Sequence, residues 1–103
     1  MKGHQSLENL IEELQYRYAW LLADFNTLFK TKTGYEKNTV WAKLYDKAKE
    51  ANTRLLTRQQ NREDAHELIG AYWVLQSVMD DELGYTAKDK KRRESIIQSQ
   101  FSS

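Results

Sequence analysis

Glu63 and His66 stand three residues apart in the stretch REDAHEL. On a helix that spacing turns a carboxylate and an imidazole to one side. Carboxylate-bridged di-iron bundles place a Glu and a His on a helix in this way, but they require two such pairs and two further carboxylates. The chain has two histidines, and the other, His4, lies close to the N-terminus. A symmetric dimer would supply a second pair, yet Glu8, Glu12 and Glu13 fall off the main apolar face of their own helix. With so few ligands able to converge, we expect no metal and no cofactor, and read Glu63 and His66 as surface residues beside Trp73. We also expect no catalytic residue and no enzyme. There is no cysteine, no Gly-rich phosphate loop and no nucleophile with a neighbouring base.

Two other groups of residues carry interaction chemistry. The run KDKKRR supplies Lys88, Lys90, Lys91, Arg92 and Arg93, clustered cations of the kind that grip phosphates on a nucleic acid. The alternative for this run is a solvated helix face that keeps the protein soluble. Tyr16, Ala19, Trp20 and Ala23 recur at i, i+3, i+4 and i+7 and form an apolar stripe opposite the main buried face of their helix. Aromatics with small neighbours on an uncommitted face are what interface cores favour. We expect a homodimer or another protein partner on this stripe. The competing expectation is that Ile96, Ile97 and Phe101 fold back over it. Gly70 and Ser77, seven apart, admit another helix closely or else fit a tight core.

The elements that must position these residues are helices. Proline is absent and glycine occurs four times in 103 residues, which permits long helices and disfavours a strand-and-turn fold. Hydrophobic residues at 40% and charged residues at 30% exclude compositional disorder, and three Trp, six Tyr and three Phe give a core large pieces to pack. Leu7, Leu10, Ile11, Leu14, Tyr18, Leu21, Leu22, Phe25, Leu28 and Phe29 define a first helix over about 6–30, capped by Ser6. Gly34 suits a turn, and Asn38 or Thr39 a cap. The second helix, about 39–59, buries Trp41, Leu44, Tyr45, Ala48, Ala51, Leu55 and Leu56.

The third helix, 62–83, begins at Asn61 and ends at Gly84. A heptad phase through Trp41, Ala48, Leu55, Arg62, Ile69, Gln76 and Leu83 keeps one unbroken helix over 40–83 open. It would bring Arg58 and Arg62 onto the seam, so the break is preferred. Between Leu68 and Met79 this helix is apolar on nearly every side, and we expect it at the centre, enclosed by the others, with Trp73 buried. A last, basic helix spans 87–98 within the segment 87–103, with Thr86 as cap and Asp89 three residues on.

Charge is unevenly shared although the net is +1. Residues 36–60 carry six Lys/Arg against three Asp/Glu, 61–83 one against six, and 84–103 five against two. An acidic third helix between basic neighbours suits antiparallel packing, within one chain or between two copies. Such pairs set register more than stability.

The segments KLYDKAKEANTRLL and REDAHELIGAYWVLQSVMDDELGY resemble the MazG-type nucleotide pyrophosphatases, all-helical proteins that bind magnesium through an ExxE helix followed by an ExxD helix. In the register that matches the hydrophobic pattern, Lys47 and Glu50 stand at the first motif and Glu67 and Gly70 at the second. The resemblance implies a metal-dependent pyrophosphatase, degenerate here because two of four carboxylates are absent and a lysine competes with the cation.

Together these observations predict one all-α domain, residues 1–103, built as an antiparallel bundle of three main helices plus a short basic C-terminal helix. The expected role is a small non-enzymatic interaction protein of the cytoplasm, an adaptor, inhibitor or regulator of bacterial or phage type. No apolar run reaches membrane-spanning length, so no membrane partner is expected. Nucleic-acid binding through the last helix is the alternative.

Overall fold

The computed structural model describes residues 5–31 and 40–101. The described residues are all-α, with four helices: α1 (Leu7–Thr31), α2 (Val40–Leu56), α3 (Arg62–Leu83) and α4 (Ala87–Phe101). The expected turn at Gly34, the caps at Asn38 or Thr39, and His4 lie outside the described residues. No described helix is long and apolar enough to cross a membrane.

Local chemistry sets most of the helix ends. Ser6 Oγ accepts from Asn9 N–H at 3.0 Å and starts α1. The single-helix alternative for 40–83 is overturned by a compact break at 57–61. Arg58 there takes a left-handed φ of 56°, a conformation that costs a non-glycine residue about 1 kcal/mol. Side chains offset that cost. Thr57 Oγ1 and Gln60 Nε2 both donate to the Arg54 carbonyl at 2.7 Å, and Gln15 Nε2 reaches across from α1 to the Leu55 carbonyl at 2.8 Å. Three donors thus occupy the orphan carbonyls where α2 stops, without glycine or proline.

Asn61 then opens α3 by a reciprocal capping box. Its side chain accepts from Asp64 N–H at 2.8 Å, and Asp64 accepts from Asn61 N–H at 3.1 Å. At the other end Gly84 adopts φ 75°, and Tyr85 N–H bonds back to the Asp80 carbonyl while Gly84 N–H bonds to that of Asp81. This Schellman arrangement requires the left-handed residue that glycine supplies. Thr86 and Asp89 form the expected box at the start of α4, which runs three residues past the expected end at 98.

The helix in the middle is α1, and this corrects the expectation for α3. Phe25 and Phe29 pack edge-on to Tyr45 of α2, each at 5.6 Å. Tyr18 stacks edge-on to Tyr72 of α3 at 5.8 Å and donates its hydroxyl to the Leu68 carbonyl at 2.6 Å. Tyr16 meets Phe101 of α4 at 5.6 Å. Along α1, partners on α3 come in the same order as the chain, and partners on α2 and α4 in the reverse order.

The core follows: Leu14, Tyr18, Leu21, Phe25 and Leu28 of α1 close on Ala48 and Leu55 of α2 and on Ala65, Leu68, Tyr72 and Met79 of α3. α3 is buried along that one side. Its other side faces solvent, with Val74 65%, Trp73 39% and Val78 39% exposed. The high apolar content of α3 is therefore not a sign of enclosure. It includes a real outer face.

Candidate functional site

The outer face of α3 is built from Gly70, Ala71, Val74, Ser77 and Val78, all exposed, with Trp73 and His66 on one flank. A Cβ added at Gly70 would meet nothing within 4 Å, so this position is open space and not a tight core fit. Interleaved on the same side are Glu63, Glu67 and Asp81, exposed, and Glu82, half-buried. None of these four acids forms an ion pair among the described residues. The sequence carried the signal for this face in those acids, which share the helical side of Gly70 and Val74. A run of carboxylates along one side marks that side as solvated.

The α1 stripe divides. Ala19 and Ala23 are exposed, whereas Tyr16 and Trp20 are half-buried. Tyr16 lies between Trp20, at 6.1 Å, and Phe101, at 5.6 Å. Asn9 Nδ2 also donates to the Phe101 carbonyl at 3.3 Å, and Ile97 is fully buried. The last helix therefore packs over the aromatic half of the stripe and leaves the alanine half open.

The five cations of α4 also separate. Lys88, Lys90, Lys91 and Arg92 are exposed and none is held in an ion pair among the described residues. Arg93 turns inward. It is 4% exposed and gives two hydrogen bonds to Asp80, at 2.8 and 3.0 Å. As a buried partner of a carboxylate, Arg93 is removed from the candidate phosphate-gripping set.

That pair belongs to a buried polar network at the junction of α1, α3 and α4, which sequence reasoning missed. Asp24 of α1 accepts from the Tyr85 hydroxyl at 2.7 Å and from Gln76 Nε2 at 3.0 Å, and the same amide nitrogen reaches Asp80 at 2.9 Å. On the other side of Arg93, Glu94 receives both terminal nitrogens of Arg17, at 3.1 and 2.9 Å, while Arg17 Nε bonds Glu13 at 2.9 Å. The Arg17 guanidinium also covers the Trp73 ring at 4.9 Å and the Tyr72 ring at 5.4 Å.

Burial, with the nearby Asp80 charge, raises the Asp24 carboxyl above its ordinary range, although bonds from Tyr85 and Gln76 offset part of the effect. Glu94 is shifted the other way. Burial works against its charge, but the hydrogen bonds and charge of Arg17 outweigh it. Burial beside Asp24 raises the Tyr85 hydroxyl. Arg17 and Asp24 sit on α1 at positions between its two apolar stripes, so their burial depends on α4 covering that side. No periodicity on α1 alone encodes this.

The positions singled out for metal chemistry do not assemble. Glu63, His66, Lys47, Glu50, Glu67 and Gly70 are all exposed. Among the described residues, no three His, Cys, Asp or Glu side chains group closely enough to hold a metal ion. Among the described residues, fold and surface thus define an all-α arrangement of four helices whose distinctive exposed feature is an acid-lined apolar helix face. No protein family, curated protein or solved structure compared with the chain matches it.

Proposed function

We propose that this chain is a small non-enzymatic interaction protein, an up-and-down helical bundle that docks one helical surface on a macromolecular partner. The supporting observation is the row of exposed apolar side chains on α3, with Val74 65% exposed at its centre. Scattered surface apolar residues are ordinary. Val74 and Val78, one turn apart beside the open Gly70 and with Trp73 on the flank, concentrate exposed apolar side chains on one helix, a feature that favours binding. The α1 stripe is the lesser surface, because Phe101 packs against Tyr16.

The test is capture of a partner from cells of the source by the wild-type chain and by Val74→Asp. A partner retained by wild type and lost by the variant supports the reading. A partner held equally by both contradicts docking on α3. A second reading, nucleic-acid binding, rests on the exposed cations Lys88, Lys90, Lys91 and Arg92 of α4, which form no ion pair among the described residues. It predicts DNA or RNA binding that weakens steeply with salt and is lost when Lys88, Lys90, Lys91 and Arg92 are all changed to Ser.

A further inference from the structure

We infer that the occupant of the outer α3 face is a cationic amphipathic helix from another protein. This rests on the docking reading above and names the partner's chemistry. Glu63 and Glu67 stand before the apolar centre, and Asp81 and Glu82 after it, with Gly70, Val74 and Val78 between. Elsewhere many acids are already committed. Glu12 pairs with Arg58, Glu13 and Glu94 with Arg17, Asp80 with Arg93, while Asp64 and Asp89 serve as caps. The four acids of this face have no such partner among the described residues.

A second copy of this chain fits poorly. An α3–α3 pair crossing at Val74 sets Glu63 and Glu67 against Asp81 and Glu82 when antiparallel, and each acid against its own counterpart when parallel. Like charges across an interface are unfavourable in either case. Among the described residues, the basic surfaces also lack the required apolar residues. The exposed cations of α4 have Ser95 and Ser99 among them, and α2 exposes its large apolar side chains only at its two ends, Val40 and Leu56. An anionic membrane or a nucleic acid would be repelled by the same four carboxylates. A helix with large apolar side chains on one side and Lys or Arg on its borders satisfies both features. The apolar side covers Val74 and Val78 and fills the space over Gly70, and the cations reach the acids at each end.

The probe is a synthetic Leu/Lys amphipathic peptide of about 20 residues, enough to span α3. Its counterpart has every Lys replaced by Glu. Binding to the full chain is read by calorimetry at low and raised salt. The expected result is that the Leu/Lys peptide binds, more weakly as salt rises, and that the Leu/Glu peptide does not.

Val74→Ser with Val78→Ser, which leaves charge unchanged, lowers affinity at least about tenfold. Glu63→Gln, Glu67→Gln and Asp81→Asn together also lower it and flatten the salt dependence, whereas Ala19→Ser with Ala23→Ser changes nothing. Equal binding by the Val74/Val78 variant overturns the inference, since attraction would then be non-specific. Binding of the Leu/Glu peptide alone overturns the charge class and leaves docking on α3 standing. Binding of neither peptide overturns both.

Discussion

Arg93 and Asp80 face each other through two parallel hydrogen bonds, with side chains 5% and 4% exposed. A guanidinium and a carboxylate taken out of water must recover their hydration from protein groups, here chiefly from each other, with Gln76 also donating to Asp80 and Glu94 also accepting from Arg93. The pair ties α4 to α3 across the Gly84 turn, and its loss strands a buried charge. Arg93→Ala is expected to cost about 3 kcal/mol or more in urea unfolding. Lys91→Ala, one turn face away in solvent, should cost under about 0.5 kcal/mol. Equal, small losses at both positions would mean that α4 is not docked through this contact.

Asp24 predicts a pH dependence whose sign follows from its raised pKa. The unfolded chain releases this proton at lower pH than the folded chain, so folded protein holds more protons above about pH 4. Stability contributed at this site therefore falls as pH rises through the folded value. Asp24→Asn preserves both bonds, because the amide can accept from Gln76 and donate to the Tyr85 oxygen. The variant should be more stable than wild type at neutral pH, and its stability should fall less on going from acid to neutral pH. Glu94, with a lowered value, works in the opposite sense and is untouched by the change. A loss of stability at pH 7 would contradict this account.

Tyr18 makes the corresponding alkaline prediction. Burial pushes its hydroxyl up to about 12 while it donates to the Leu68 carbonyl. The unfolded tyrosine ionises near pH 10, so stability should fall as pH rises from about 10 to 12. Tyr18→Phe costs about 1 kcal/mol at neutral pH for the lost hydrogen bond and makes that alkaline fall shallower. An unchanged alkaline profile in thermal melts would show that Tyr18 titrates freely.

Tyr72 and Trp73 are neighbours in the chain with opposite surroundings, and their truncations should differ. Tyr72 is fully buried, whereas Trp73 is 39% exposed and leans on Tyr72 at 5.0 Å and on Arg17 at 4.9 Å. Tyr72→Ala is expected to cost at least about 3 kcal/mol. Trp73→Ala should cost about 1–2 kcal/mol, from one edge-on ring contact and one half-exposed cation–π contact. A larger loss at Trp73 than at Tyr72 would restore α3 to an enclosed position.

The helices and their ends were legible because each is written locally. Ser6, Asn61 with Asp64, Gly84, and Thr86 with Asp89 are signals within one turn. The stop of α2 was half legible, since the side chains that allow it include Gln15 from a different helix. Centrality was misread. Apolar residues at Trp73, Val74 and Val78 resemble core residues in one dimension, and the acids Glu63, Glu67 and Asp81 on the same side of α3, which mark it as solvated, carry less weight there than the apolar run. The network joining Arg17, Glu94, Arg93, Asp80 and Asp24 was invisible because its links run between helices far apart in sequence, Arg17–Glu94 and Asp80–Arg93 through α4 and Asp24–Gln76 between α1 and α3.

The central claim, that the outward side of α3 is the docking surface, is tested most directly by thiol protection, which the absence of native cysteine makes unambiguous. Val74→Cys and Ala23→Cys each place one thiol on a competing face, and labelling rates are compared with and without the Leu/Lys peptide. The account predicts fast labelling at both sites in the free chain, and slowing by the peptide at position 74 alone. Slowing at position 23 with none at position 74 would contradict it.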